Sequence, residues 1–168
     1  MILGVAGPSG SGKTTLIARI LPLLREGGVR VSTIKHVHHD LELDKPGKDS
    51  YVHREAGAEE VMVSLPSGWA LFHPGHGGGQ PEVDELVSNM APVDLVLVEG
   101  FRALPMDKIE VYSAATGGDL NQPRHPSVVA VAADTALPGT AVPVFDRDDA
   151  PAIAAFILER LRNRTAAR

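Results

Sequence analysis

The residues with the clearest chemical meaning lie in the segment Gly7–Thr14, which reads GPSGSGKT. This segment fits the pattern GxxxxGK[ST], in which backbone N–H groups converge on the phosphates of a nucleotide. Gly10 and Gly12 let the backbone curl so that these groups meet phosphate oxygens at a helix N-terminus. Lys13 would bind the β- and γ-phosphates, and the Thr14 hydroxyl would bind Mg²⁺. The pattern predicts a site for a nucleoside triphosphate.

Two further residues, one in this segment and one directly after it, are candidates for binding the nucleotide. Ser11 lies between the two glycines of the loop, and Thr15 lies close enough to reach an α-phosphate. The alternative interpretation is an ordinary Gly/Ser turn that happens to contain a lysine. We favour the phosphate site because a strand, Ile2–Ala6, is predicted before the loop and a helix, Lys13–Arg25, after it.

A carboxylate is the second element that such a site requires, to hold the metal through water or to orient the attacking water. Two candidates flank the aliphatic run Val93–Val98: Asp94 near its start and Glu99 at its end, about 16 Å apart along a strand. Ligands of parallel sheets bind at the carboxyl edge, which selects Glu99 as a metal-binding and, with Lys13, catalytic residue. A solvated loop carboxylate is the alternative for Glu99. Asp94 is assigned a structural role at the opposite edge.

The hydrophobic pattern predicts the elements that position these residues. The runs Ile2–Ala6 and Val93–Val98 are apolar without alternation, which is typical of buried parallel strands. Because such strands alternate with helical patterns, we predict the α/β class, as a three-layer P-loop NTPase fold with a mostly parallel sheet. The sequence PSG between Val61–Leu65 and Trp69–Phe72 predicts an added β-hairpin.

Other elements follow from the same patterns. Further strands are predicted at Val29–Lys35, Ile109–Tyr112, Val128–Ala132 and Val142–Phe145. Helices are predicted at Lys13–Arg25 with a kink at Pro22, at Ser50–Ala56 with Asp49 as N-cap, from Pro81 to Met90, and around Ile153–Leu161.

Composition limits the classes of protein to be considered. The chain has 168 residues, which predicts one nucleotide-binding domain over 1–168. Its 16 Lys and Arg against 21 Asp and Glu give a net charge of −5, the wrong sign for coating nucleic acid. The chain has no Cys, which excludes disulfides and thiolate metal sites and fits a reducing compartment. No apolar stretch approaches about 18 residues, so we expect a soluble cytoplasmic protein without membrane partners.

Three segments together resemble one known family. They are GPSGSGKTT at 7–15, IKHVHHDLELDKPGKDSYVHREAGA at 34–58 and DLVLVEGF at 94–101. In this order and spacing they closely resemble the molybdopterin-guanine dinucleotide biosynthesis protein B family. The resemblance implies a homodimeric P-loop protein that binds GTP with Mg²⁺ and hydrolyses it slowly. It also implies partners: the guanylyltransferase that attaches GMP to molybdopterin, and other molybdenum cofactor assembly proteins. The chain departs from the family at Arg102, where Lys is expected, and in the glycine-rich segment 73–80.

A histidine cluster follows the second predicted strand. His36 and His38 would share one face of an extended chain, with His39 pointing away and Asp40 beside them. Two histidines on one face could bind a transition metal. A second interpretation is a switch-like segment that contacts the γ-phosphate side, Mg²⁺ or the pterin partner, with Asp40 as a metal ligand. Solvated loop histidines are the third. We favour the second interpretation, because the resemblance places the segment near the nucleotide.

Two other groups carry weaker signals. One is a local basic group in this acidic protein, which comprises Lys45, Lys48, His53 and Arg54. It would suit a pterin phosphate or an acidic partner surface. The alternative is an ordinary surface of mixed charge. Gly75 and Gly77–Gly79 could form a second anion nest, but a flexible loop is favoured because no strand-to-helix pattern surrounds them.

Base recognition is poorly specified by the residues. The guanine signature of Asn or Thr, Lys, any residue and Asp does not occur, so GTP over ATP rests on the resemblance. Asp134, after a predicted strand, could accept hydrogen bonds from guanine N1–H and N2–H₂, or could be a turn residue. Asp146, Asp148 and Asp149 are expected to include the N-cap of the last helix.

Three functions remain open at this point. The favoured one is a GTP-binding accessory protein with slow hydrolysis. The second is a small-molecule or nucleoside kinase, which needs a lid of mobile arginines; between Val98 and the last helix the chain offers Arg102, Arg124 and Arg147. The third is a nucleotide-binding scaffold that does not hydrolyse its ligand.

Overall fold

The computed structural model describes residues 1–37, 44–73, 81–101, 104–117, 120 and 125–166. The chain forms two compact units. The sheet unit comprises Met1–His36 and Ala91–Arg168, and the hairpin unit comprises Val37–Met90. The hairpin unit is therefore inserted, in sequence, between two parts of the sheet unit.

Strands and helices alternate along most of the chain. In the described residues the strands are β1 (Ile2–Ala6), β2 (Val31–Lys35), β3 (Val61–Leu65), β4 (Gly68–Phe72), β5 (Leu95–Glu99), β6 (Lys108–Tyr112), β7 (Val128–Ala133) and β8 (Val144–Asp146). The helices are α1 (Lys13–Glu26), α2 (Asp49–Glu55), α3 (Val83–Ser88) and α4 (Ala150–Ala166). No helix among these residues is both long enough and apolar enough to span a bilayer.

A parallel sheet is the centre of the sheet unit. Its described strands number six and lie in the order β2-β5-β1-β6-β7-β8, each parallel to its neighbours. Val5 of β1 pairs with Glu99 on one side, and Ala6 pairs with Glu110 on the other. All carboxyl ends therefore lie at one edge, where parallel sheets bind ligands. The predicted α/β fold with a mostly parallel sheet and an added hairpin is confirmed.

The main core lies between one face of this sheet and the helices α1 and α4. Apolar residues recur on α1 at helical spacing, so that Leu16, Ile20 and Leu24 all face inward. Ile153 and Ile157 of α4 are fully buried in the same cluster. Alternate residues of the strands complete it, including Leu3, Val5, Leu95, Leu97, Ile109 and Val111. This packing fixes α1 against β1 and so fixes the loop between them.

Two charged side chains are buried on β6, which sequence reasoning did not predict. Lys108 is 1% exposed and Glu110 is 2% exposed. Since side chains alternate along a strand, both face away from Ile109 and Val111 of the main core. The Lys108 ammonium donates a hydrogen bond of 2.6 Å to the carbonyl oxygen of Leu104, which partly compensates its burial.

The hairpin unit contains β3 and β4 as an antiparallel pair, which confirms the predicted hairpin. The predicted cap of α2 is wrong: Asp49 is the first helical residue, and Lys48 occupies the N-cap position without a side-chain hydrogen bond. Arg54 of α2 lies over the rings of Tyr51 and Phe72, with its Cζ 4.9 and 4.7 Å from their centroids. This cation–π contact joins α2 to β4 within the unit.

Candidate functional site

The loop 7–12 connects β1 to α1 at the carboxyl edge of the sheet. Gly10 has φ 76° and Gly12, the N-cap residue of α1, has φ 100°, both in the left-handed region that glycine adopts without a steric penalty. The N–H groups at the start of α1 have no partner within the helix and attract anions. The strand, loop and helix that the sequence predicts are all present.

Lys13 folds back over the phosphate loop. Its ammonium donates hydrogen bonds to the carbonyl oxygens of Gly7 at 3.0 Å and Pro8 at 2.8 Å. Partial burial lowers the pKa of Lys13 below its usual value; nearby Glu99 opposes this shift and Lys35 adds to it. The ammonium is therefore held at the loop, in reach of a bound phosphate.

Ser11 carries an unsatisfied polar atom at the same loop. The residue is fully buried, and its Oγ has no hydrogen-bond partner within the described part of the chain. A buried hydroxyl without a partner costs free energy. Because this oxygen is closed off from solvent, a ligand in the open loop does not reach it in this conformation.

Thr14 and Glu99 meet at the edge of the sheet. The Thr14 hydroxyl donates a 2.7 Å hydrogen bond to Glu99 Oε1, and the Glu99 side chain is 12% exposed. Hydroxyl and carboxylate oxygens are ligands that Mg²⁺ accepts, with phosphates and water supplying the rest. No group of three or more His, Cys, Asp or Glu among the described residues could hold a metal ion. These two residues fit a magnesium ion that is shared with a nucleotide.

Lys35 is a site residue that sequence reasoning missed. It ends β2 and pairs in register with Glu99, and its ammonium lies 4.0 Å from Glu99 Oε1. Its side chain is half exposed. The available signal was its position at the end of a predicted strand, directly before the histidine cluster. Lys35 adds positive charge beside the Glu99 carboxylate.

The turn after Glu99 requires an unusual backbone. Gly100 has φ 101°, and a Cβ there would lie 2.9 Å from His36 Cβ. Phe101 has φ 49°, a left-handed conformation that is strained for a residue with a side chain. The His36 ring packs on the Phe101 ring at a tilt, with centroids 4.1 Å apart. The backbone N–H of His36 donates a 2.9 Å hydrogen bond to the Glu99 carbonyl oxygen. These contacts hold the chain beside Glu99.

The rest of the histidine cluster is not placed. His38, His39 and Asp40 lie outside the described residues, so the metal and switch interpretations remain predictions. Arg102, Arg124 and the glycine-rich segment 74–80 also lie outside them.

Asp134 lies directly after β7, and its carboxylate is already engaged within the protein. Oδ2 accepts a 2.6 Å hydrogen bond from the Ser113 hydroxyl, and Oδ1 accepts a 2.9 Å bond from the Ala114 N–H. Arg147 Nη1 lies 3.3 Å from Oδ2. The hydrogen bond from Ser113 is the largest cause that lowers the pKa of Asp134, and the hydrogen bond from the Ala114 N–H is the next largest. The carboxylate therefore stays ionised and oriented, whatever else it contacts.

The remaining candidates are not part of the phosphate loop itself. Asp94 is at the opposite edge of the sheet, where its Oδ2 accepts a 2.8 Å hydrogen bond from the Arg30 N–H. Asp149 Oδ1 accepts from the Ala152 N–H at 3.0 Å and so caps α4, as predicted. Thr15 is exposed in the first turn of α1.

The basic group is in the hairpin unit. Lys45, Lys48 and His53 are exposed there, whereas Arg54 pairs with Asp44 at 3.5 Å and is mostly buried. Arg54 is thus part of the packing of that unit.

Comparisons with known proteins place the chain in a family. The profile of the family described as molybdopterin guanine dinucleotide synthesis protein B matches residues 2–134. The molybdopterin-guanine dinucleotide biosynthesis adapter protein of Escherichia coli K12 is 38% identical over 168 residues, covering 97% of this chain and 94% of the relative.

Solved structures extend the likeness to the fold. A crystal structure of molybdopterin-guanine biosynthesis protein B covers 95% of this chain and 99% of its own, with 31% identity and a TM-score of 0.77. The crystal structure of Bacillus subtilis MobB covers 94% and 96%, with 25% identity and a TM-score of 0.72. The resemblance drawn from the three sequence segments is confirmed, and the chain belongs to the family of molybdopterin guanine dinucleotide synthesis protein B.

Proposed function

We propose that this chain binds GTP with Mg²⁺ at its phosphate loop, hydrolyses it slowly, and acts as an adapter in molybdopterin-guanine dinucleotide synthesis. The observation that carries the proposal is the 2.7 Å contact between Thr14 and Glu99 beside the loop that Lys13 covers. It brings the metal-binding hydroxyl and the expected carboxylate together at the predicted edge of the sheet.

Each residue has a defined task in this proposal. The loop N–H groups and Lys13 bind the β- and γ-phosphates. Thr14 and Glu99 bind the metal directly or through water, and Mg²⁺ would neutralise charge on the phosphate oxygens. Glu99 also orients the attacking water. Glu is one methylene longer than the Asp common at this position, so it either reaches that water directly or holds it loosely, and the second case would account for slow turnover.

Guanine is the proposed base because the family is one of guanine dinucleotide synthesis. Asp134 is the proposed base-binding residue, at the carboxyl edge after β7. Since its oxygens already accept hydrogen bonds from Ser113 and Ala114, guanine would have to share or replace one of these partners. A modest preference for GTP over ATP is therefore expected.

The adapter role needs partner surfaces, which we place on the hairpin unit. Lys45, Lys48 and His53 are exposed and would suit the phosphate of molybdopterin or an acidic face of a molybdopterin guanylyltransferase.

The apolar side chains of β3 and β4 would join two copies of the chain in a homodimer. Supporting this, Met62 is 59% exposed and Trp69 is 66% exposed. The proposed location of this complex is the cytoplasm.

A binding and turnover assay tests the nucleotide proposal. A fluorescent GTP analogue is titrated with and without Mg²⁺ and then displaced by unlabelled GTP or ATP. We expect Mg²⁺-dependent binding, better displacement by GTP, and slow phosphate release from GTP alone. Transfer of phosphate to an added nucleoside would instead identify a kinase, and binding without any release would identify a scaffold. Absence of binding to both nucleotides would overturn the proposal.

A further inference from the structure

Arg147 contacts the phosphate loop from a distant part of the sequence. It follows β8, and its backbone N–H donates a 2.9 Å hydrogen bond to the carbonyl oxygen of Ala133. Its Nη1 donates a 3.3 Å hydrogen bond to the carbonyl oxygen of Ser11, in the loop itself. The side chain is 29% exposed, so it is fixed by packing as well as by polar contacts.

Asp134 holds the guanidinium of Arg147 in this position. The Asp134 carboxylate is itself oriented by Ser113 and by the Ala114 N–H, which leaves Oδ2 facing Arg147 at 3.3 Å. Ser113 is 2% exposed. A chain of contacts through Ser113, Asp134 and Arg147 thus runs from the ends of β6 and β7 to the phosphate loop.

The contact with Ser11 has a geometric consequence for its neighbour. In a trans peptide the C=O and the following N–H point in opposite directions within one plane. When Arg147 holds the Ser11 carbonyl, it therefore fixes the direction of the Gly12 N–H on the other side of that peptide. Gly12 is the N-cap of α1 and has φ 100°, so its peptide could otherwise rotate easily. The Gly12 N–H is one of the loop donors that converge on phosphate.

We infer that Arg147, held by Asp134, is a positioning residue that orients the Ser11–Gly12 peptide for phosphate binding before the ligand arrives. A loop that is fixed in its binding conformation loses less entropy when it binds. Asp134 consequently acts on phosphate affinity through Arg147, in addition to any contact with the base. The inference rests on the proposed nucleotide binding at this loop.

Inorganic tripolyphosphate separates the two roles of Asp134, because it has phosphates and no base. Its affinity and that of GTP are measured by calorimetry with Mg²⁺ present, for the wild type, Arg147→Ala, Asp134→Ala and the double variant. We expect Arg147→Ala and Asp134→Ala each to weaken tripolyphosphate binding by about five- to ten-fold, because each removes an indirect contribution comparable to one ordinary hydrogen bond. The double variant should bind tripolyphosphate no worse than Arg147→Ala, because the two residues act in one chain of contacts.

Arg19 provides a matched control. It forms an ion pair with Asp148, the residue after Arg147, and so ties the same connecting segment to α1 without touching the loop. Arg19→Ala should leave tripolyphosphate affinity unchanged. Arg147→Lys should recover part of the affinity, since it keeps a charged donor but not the fixed geometry by which Nη1 contacts both Ser11 and Asp134. If Arg147→Ala does not fold, Arg147→Met, which keeps the aliphatic stem, replaces it.

The outcomes discriminate between this inference and the proposed function. Unchanged tripolyphosphate affinity in a folded Arg147→Ala or Arg147→Met variant overturns the inference and leaves GTP binding intact. The same holds if Asp134→Ala weakens GTP binding alone, which would make Asp134 a base-binding residue only. Equal losses in Arg19→Ala and Arg147→Ala would make the effect one of general stability and would also overturn it. Failure of the wild type to bind either ligand removes the proposed function, and the inference with it.

Discussion

Glu99 and Thr14 share one hydrogen bond at the carboxyl edge of the sheet, and this contact allows binding and turnover to be separated. In Glu99→Gln the amide oxygen can still accept from Thr14, but the negative charge is lost. We therefore expect GTP binding to remain and most of the hydrolysis to disappear. Single-turnover hydrolysis, with thermal melts of both proteins, measures the effect. A Glu99→Gln rate equal to wild type would remove Glu99 from the mechanism.

Lys13 is the residue whose charge should decide affinity. Lys13→Ala is expected to weaken GTP binding by about ten-fold or more, the cost of one charge-assisted contact, with the fold intact. Calorimetric titration measures the affinity, and circular dichroism checks the fold. A folded variant with unchanged affinity would argue against the phosphate loop as the binding site.

The titration of Lys13 gives a second test at the same residue. Because burial lowers the pKa of Lys13, the free protein loses this charge at a lower pH than an ordinary lysine, whose pKa is about 10.4. The protonated form binds phosphate, so GTP affinity should begin to fall with rising pH below that value. Lys13→Arg, which stays charged, should show a flatter profile over the same alkaline range. Identical profiles for the two proteins would exclude Lys13 as the titrating group.

Local patterns were sufficient for some site residues and not for others. The fixed spacing of the loop identifies Lys13 and Thr14, and the end of the most apolar strand identifies Glu99. Arg147 contacts Ser11 across 136 positions of sequence, and no local pattern records such a contact. It stands among aspartates that sequence reasoning treated as helix caps.

At the scale of elements, the amino ends of β2 and β5 are joined by Arg30 and Asp94. Hydrogen bonds from Arg30 lower the pKa of Asp94. In the unfolded chain Asp94 has an ordinary pKa of about 3.9. As the pH falls below that value, the unfolded chain therefore binds more protons than the native state. This contribution to stability is present above about pH 4 and is lost as the pH falls towards the native pKa.

The Asp94→Asn variant tests this pair. We expect it to be less stable at neutral pH and to lose less further stability than wild type between about pH 5 and pH 3. Urea unfolding at a series of pH values measures both effects. GTP hydrolysis should be unchanged, because Asp94 lies at the edge opposite the loop. An inactive but well-folded variant would contradict this assignment.

Element types could be predicted from the sequence, but element boundaries depend on neighbours. The run Val93–Val98 predicts a strand, and the observed β5 is Leu95–Glu99 because it pairs in register with β2, from Val31 opposite Leu95 to Lys35 opposite Glu99. Asp49 has the residue type of a cap, yet the helix includes it. The apolar alternation of a strand also cannot reveal that Lys108 and Glu110 are buried, since burial of a charge needs partners from elsewhere.

At the scale of the whole molecule, one face of the hairpin is apolar and exposed. Met62 pairs with Leu71, and Trp69 pairs with Ser64, so these side chains share a face; Met62 and Trp69 are 59% and 66% exposed. We expect Met62→Glu with Trp69→Glu to convert a homodimer into a monomer, because charge on this face opposes its burial. Sedimentation equilibrium measures the mass. Val144→Glu is the control, because it changes an exposed apolar residue of β8, and it should leave the measured mass unchanged.

The outcome for this face is decisive in either direction. A wild-type protein that is monomeric at micromolar concentration, or a double variant that remains dimeric, would contradict the proposed interface.

The single domain predicted over 1–168 can also be tested. Among the described residues of the hairpin unit, only Val61 and Val83 are buried apolar side chains, too few for an independent core. We expect the full chain to unfold in one calorimetric transition and a peptide of residues 37–90 to lack stable structure by circular dichroism. Two separate transitions would instead identify two domains.

Trp69 is the only tryptophan of the chain, and it lies on β4 with 66% of its surface exposed. Tryptophan fluorescence of this protein therefore reports on the hairpin. Its emission should be that of a water-exposed indole, open to collisional quenching by iodide, and it should shift to the blue when a partner covers the hairpin. The protein thus carries its own optical label for association through the hairpin.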